Sequence, residues 1–136
     1  MMRALVLLFI LLLLNPIHVH AASGGWTKVA GEIEKTLEEA VVDYKEGKVN
    51  QAVEKVADAY FGIFEGEKAN MEIAVRRYLS LKRATDLEKG FGDLRKRMSS
   101  RIPLSDVRKQ TNDLIGAVKE AAGELERKGV GLDVGY

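Results

Sequence analysis

Apolar side chains recur at steps of three and four along most of this chain, and the runs are separated by Gly or Pro. Trp26, Val29, Ile33, Leu37, Val41 and Tyr44 make the first stripe, with Glu32, Glu34, Glu38, Glu39 and Asp43 on the remaining face. That spacing predicts an amphipathic helix with one face against a core. Gly47 then predicts a left-handed C-terminal cap and a short antiparallel return. Val49, Ala52, Val53, Val56, Tyr60, Ile63 and Phe64 form the second stripe, which Gly66 ends. Phe61 falls off that stripe and is expected to face solvent, a groove or a partner. Asn70 is placed to cap a third helix, with Glu72 in its first turn, where the helix dipole favours negative charge.

The third segment changes phase. Met71, Ala74, Val75 and Tyr78 define one face, and Leu87, Phe91, Leu94 and Met98 define a nearly opposite one. A straight helix cannot bury both against one neighbour. It breaks between Ser80 and Thr85, bends at Gly90 and Gly92, or turns its second half to another surface; we read it as one long, bent helix. Ile102-Pro103-Leu104 stops the run and Ser105 is a candidate N-cap. Val107, Leu114, Ile115, Val118, Ala121, Ala122 and Leu125 make the last stripe. No run has the two-residue period of a strand. The expected fold is all-α, an antiparallel four-helix bundle over residues 22–128, followed by a flexible Gly-rich tail, 129–136.

The N-terminus has a different character. Met1-Met2-Arg3 leads into an apolar run from Ala4 to Leu14, stopped by Asn15-Pro16. The run is well short of the ~20 residues that span a bilayer. One cation, a short apolar core and the small-residue exit Val19-His20-Ala21 predict a signal peptide over 1–21, and hence an exported, periplasmic or extracellular protein.

Composition narrows the chemistry. The chain has no Cys, and its two His, His18 and His20, both fall in that leader. The mature protein would then lack the usual zinc ligands, a His for haem, a thiol and a catalytic triad. A metal site would be built from oxygen donors, which suit hard cations. Removing Arg3 leaves Lys+Arg at 20 (21 − 1) against 20 acids. This balance argues against nucleic-acid binding, which needs a basic surplus. Carboxylate acid–base chemistry is all that remains for an enzyme, and no paired-carboxylate motif stands out. The chain is therefore not read as an enzyme.

Four carboxylates are candidates for a metal site. Glu65 and Glu72 flank the turn between the second and third helices, beside Glu67, and Asp58 lies seven residues before Glu65, on the same face of an α-helix. Glu65 sits near a helix C-terminus, where the dipole disfavours an anion. A bound cation would account for it, and so would Lys68, Arg76 or Arg77 folding over it; a polar surface turn is the plainer reading. Glu88 projects from the inner edge of the third helix, toward a metal or toward an arginine. On a straight helix Glu72 and Glu88 are roughly 24 Å apart, so one ion could use both only if the helix folded back. Tyr44, Tyr60 and Tyr78 sit at core spacing, which usually means packing rather than ligation. Arg76, Arg77, Lys82 and Arg83 read as a solvated face.

The central stretch resembles the extracytoplasmic helical domain of bacterial high-affinity iron permeases. The residues that carry the likeness are Ala59-Tyr60-Phe61, Phe64-Glu65, Met71-Glu72, Ala74-Val75, Leu87-Glu88, Phe91 and Leu94-Arg95, with Tyr44, Gly47 and Ala52 upstream. The membrane-embedded Arg-Glu-x-x-Glu signatures of those permeases are absent, and the turn Glu65-Gly66-Glu67-Lys68-Ala69-Asn70 is longer than the family's compact version. The resemblance implies a stand-alone domain that binds or presents iron, ferric or ferrous, or another hard cation. Its partner would be an iron permease or other membrane transporter. Asp58, Glu65, Glu72 and Glu88 would be the metal ligands, with no haem and no zinc. The competing expectation is a structural or protein-interaction bundle without a metal, touching its partner through Phe61 and the Leu87–Met98 face.

Overall fold

The apolar stripes become five helical elements among the described residues, 25–134, of a computed structural model. The leader expected over 1–21 lies outside the described residues. Helix α1 spans Gly25–Lys45 and buries Trp26, Val29, Ala30, Ile33, Leu37 and Ala40. Gly47 ends the turn after it with φ +80°, as its left-handed cap role requires. Helix α2 begins at Val49–Ala57 and continues as a π-helix through Asp58–Phe64. Helix α3 is short, Met71–Ala74, and it too passes into a π-helix, Val75–Leu79. Helices α4, Leu81–Ser99, and α5, Leu104–Arg127, complete the chain. No strand occurs among the described residues.

The expected long third helix is two helices. Ser80 adopts an extended conformation (φ −167°, ψ 155°), and its hydroxyl accepts from the Arg83 backbone N–H at 3.0 Å. The residue thus ends α3 and caps α4 in one step. This break resolves the phase conflict: Met71, Ala74 and Val75 are buried on α3, and Leu87, Phe91, Leu94 and Met98 are buried on α4. The Leu87–Met98 face is core, not contact surface. Gly90 does not bend the helix; a Cβ there would lie 2.8 Å from Leu114 Cδ1, so its smallness lets α4 approach α5 closely.

Helices α1, α2, α4 and α5 contact one another in a closed ring, α1 to α2, α2 to α4, α4 to α5 and α5 to α1, with the π-helical continuation of α3, Val75–Leu79, packed against α4 and α5. Phe64 and Phe91 meet in the core at 5.3 Å between ring centroids. The segment expected as a flexible tail folds back on the helices as far as it is described. The Trp26 indole donates to the Val130 carbonyl at 2.8 Å, Arg77 donates to the Val134 carbonyl at 3.2 Å, and Val134 is buried. Helix α5 starts at Leu104, so the expected Ser105 cap falls inside it. No described helix is long and apolar enough to cross a membrane.

Candidate functional site

The two π-helical segments lie on either side of the one turn that carries the acidic residues. A π-helix bonds residue i to i+5 and so takes more residues per turn than an α-helix. On α2 this is seen in the Glu65 N–H bonded to the Tyr60 carbonyl at 2.8 Å. Tyr60 and Glu65 thereby stack, and the Tyr60 hydroxyl donates to Glu65 Oε1 at 2.5 Å. The Tyr60 hydroxyl, rather than an arginine, meets the carboxylate at this helix C-terminus.

The same winding moves Asp58 off that face. Seven residues no longer make two turns, and Asp58 is exposed in a polar groove with Asp43, Lys48, Gln51, Glu54 and Lys55. Tyr78, expected at a core position, is exposed for the same reason.

Glu72 is buried in the first turn of α3. Arg76, one turn later, donates from Nε to Glu72 Oε1 at 2.6 Å. Its terminal nitrogen also reaches Glu88 Oε1 on α4, at 2.8 Å. The break at Ser80 makes this possible, because it lets α4 run back alongside α3. The 24 Å separation of a straight helix is therefore corrected: Glu72 and Glu88 share one guanidinium.

Electrostatics bind these groups into one cluster. The Glu88 carboxyl titrates above its ordinary value, first because it is partly buried, then because the Glu72 carboxylate adjoins it, against the opposing pull of Arg76. The Tyr60 phenol is pushed up strongly by burial, by its bond to Glu65, and by the charges of Glu65, Glu88 and Glu72. Arg76 is held more firmly protonated, chiefly by its bond to Glu72. Tyr60 holds Glu65, and Arg76 holds Glu72 and Glu88. As they stand they are not a chelate: among the described residues no group of three or more His, Asp or Glu side chains is placed to hold a metal ion. Arg76 already bonds two of the three carboxylates.

Sequence reasoning found the carboxylates, gave an arginine as one possible partner of Glu88, as is found, and offered Arg76 for Glu65, whereas it pairs with Glu72 and Glu88. The Glu72-x-x-x-Arg76 spacing is the familiar helical ion-pair interval and could have flagged Arg76. Tyr60 could not be found this way, because its link to Glu65 depends on π winding. Beside the cluster, Phe61 is 58% exposed and packs edge-on against Tyr60 at 4.7 Å. The Arg95 guanidinium lies 6.0 Å from the Phe61 ring centroid.

No family model matches this chain, and neither a curated protein nor a solved structure proves similar to it. Nothing in these comparisons links it to the iron permeases.

Proposed function

We propose that this protein is an exported helical domain that binds or presents a hard cation of the iron class through Glu65, Glu72 and Glu88, with the Tyr60 hydroxyl beside them. The observation that carries the reading is a surplus of acid. Glu65 bonds the Tyr60 phenol, a single guanidinium bonds Glu72 and Glu88, and Glu88, partly buried and beside Glu72, holds its proton more tightly. Carboxylates and a phenol are oxygen-only donors, which suit ferric iron or Ca²⁺. Asp58, in another groove, is outside this set.

In this reading the architecture is a four-helix bundle of α1, α2, α4 and α5 with α3 inserted. The partner is a membrane transporter of the iron-permease kind, to which the domain delivers its ion. The reaction is binding and transfer, not catalysis.

Titration of the mature protein with ferric iron, supplied as a weak chelate, and with Ca²⁺ tests the reading. Wild type is expected to bind one ion. Glu65→Gln and Glu72→Gln are each expected to weaken binding about tenfold or more, as loss of a charged ligand does, with the helical circular dichroism retained. Wild type that binds nothing at millimolar metal, or a Glu65/Glu72 double variant that binds normally, would displace this reading. The protein-interaction alternative, favoured by the exposed Phe61 ring, would then stand in its place.

A further inference from the structure

We propose that the end of the bundle formed by the turn between α4 and α5 is a docking surface for an anionic phospholipid membrane. The proposal stands on residues 95–109 and does not depend on the cation site. That site lies toward the other end of the molecule, where the turn over residues 65–70 shares a groove with Gly25 and Lys28 at the start of α1. The α4–α5 turn instead meets the last turn of α1, where the Tyr44 hydroxyl donates to the Ile102 carbonyl.

Three observations carry it. The first is segregation of charge. Residues 95–109 hold six cations, Arg95, Lys96, Arg97, Arg101, Arg108 and Lys109, against one anion, Asp106, a surplus of five. Residues 22–136 as a whole are balanced, so the remainder is acidic by the same margin. The second is that ion pairing stops here. Along α4, Lys82 pairs with Asp86 and Lys89 with Asp93, each one turn apart and seven residues after the last. The third place in that series is Lys96 and Ser100: the acid is gone, and the Ser100 hydroxyl bonds the Lys96 carbonyl. Arg97 bonds the neutral amide of Gln110 and is followed one turn later by a like charge, Arg101. Of the six cations, Lys109 alone forms an ion pair among the described residues, with Asp113. The third is the backbone of Arg101, in the left-handed region at φ 56°. Helix ends ordinarily place Gly or Asn there, because a Cβ is strained. The turn thus keeps an exposed cation at its tip at a conformational cost. Next to it Pro103 is exposed and Ile102 and Leu104 are half-buried, so apolar side chains stand among basic ones.

These features select the partner. Unpaired cations around an apolar tip suit a surface of phosphate headgroups over acyl chains, which meets the charges at the headgroups and the apolar side chains just beneath. Single-stranded nucleic acid stacks on aromatic rings, and protein interfaces are commonly centred on them; residues 95–109 contain none.

Co-sedimentation with phosphatidylcholine vesicles, with and without phosphatidylglycerol, at low and at high ionic strength, tests the proposal. Wild type is expected to bind the phosphatidylglycerol vesicles and to lose that binding at high salt, where exposed charges are screened. Each basic residue near an anionic surface is worth about fivefold in partitioning, so Lys96→Gln/Arg101→Gly/Arg108→Gln should bind about 100-fold more weakly. A second triple variant, Lys28→Gln/Lys35→Gln/Lys128→Gln, removes the same charge from exposed positions elsewhere. It should bind within about twofold of wild type, because those charges lie beyond a screening length of the membrane. Every protein keeps residues 1–24, so the apolar run Ala4–Leu14 contributes equally to all, and the difference between variants reports the basic end. Wild type that binds both kinds of vesicle equally, or two triple variants that lose binding to the same degree, overturns the proposal. Tighter binding to heparin or to single-stranded DNA than to the vesicles also overturns it, and would assign the basic end to a soluble polyanion. Should the first triple variant lose its helical circular dichroism, Arg101→Gly alone carries the comparison. It relieves the left-handed strain and so should melt no lower than wild type, and undiminished vesicle binding by it overturns the proposal.

Discussion

Glu88 bears a charge that its surroundings only partly tolerate, and this has a consequence for stability. Its folded-state proton affinity is raised by burial and by Glu72. A carboxyl raised in the folded state contributes stability below its unfolded value, near pH 4.5, and loses it as pH rises through the folded value. Glu88→Gln mimics the protonated form and keeps an acceptor for Arg76. The variant should therefore melt slightly above wild type at pH 7 and level with it below pH ~4. Thermal melts at the two pH values check this; a variant less stable at pH 7 would show that the Arg76 bond outweighs the burial. Phe64 gives the contrasting case. It is fully buried against Phe91 and Tyr60. Phe64→Ala should cost about 3–5 kcal/mol, measured by urea unfolding, because losing a buried ring removes its packing and leaves a cavity in the core.

Helix existence was legible in the sequence, and helix winding was not. Every apolar stripe from Trp26 to Leu125 became a helix, since burial of a periodic face is written directly in residue spacing. The phase change between Tyr78 and Leu87 was equally visible, but spacing alone left a break and a bend both open. Ser80 settled it by serving as a cap, which needs an extended backbone rather than a particular hydrophobic pattern. The π segments had no sequence mark, because stripes at three and four hardly differ from stripes that drift toward five over a single turn. That is why Glu65 was paired with Asp58 rather than with Tyr60; Glu72 and Glu88 were put far apart because the third segment was read as one helix through Ser80. Ser80→Ala should remove the N-cap of α4 and destabilise the protein by about 1 kcal/mol. It should also raise hydrogen exchange over the first turn of α4, where an unchanged rate would mean that the cap holds nothing. Glu72→Gln and Glu88→Gln, which act on one guanidinium across that joint, should be non-additive in cation affinity, by about 0.5–3 kcal/mol in a double-mutant cycle.

At the scale of the whole molecule, both ends of the described chain are fastened together. Trp26 at the start of α1 bonds Val130 beyond α5, and Val134 is buried with its carbonyl held by Arg77. The glycines of this segment suggested looseness, but Gly129, at φ +69°, serves to turn the chain back onto the helices. Removing residues 129–136 should expose Trp26 and the Val134 site and cost about 2 kcal/mol or more. An unchanged melting temperature would show the docking to be energetically idle. Arg83 joins α4 to α5 by holding both oxygens of Glu124, at 2.9 and 3.0 Å, and lowers its proton affinity. That link is intact above pH ~4.5 and weakens as pH falls through the lowered folded value, in the opposite sense to Glu88.

The most direct test of the account is to locate the ion. Crystals of the protein soaked in iron, with diffraction recorded on either side of the iron absorption edge, would give an anomalous peak wherever iron is bound. The account predicts one peak within bonding distance of Glu72 and Glu88, near the Tyr60–Glu65 pair. A crystal that binds iron elsewhere, or one with no peak beside Glu72 and Glu88, would contradict it.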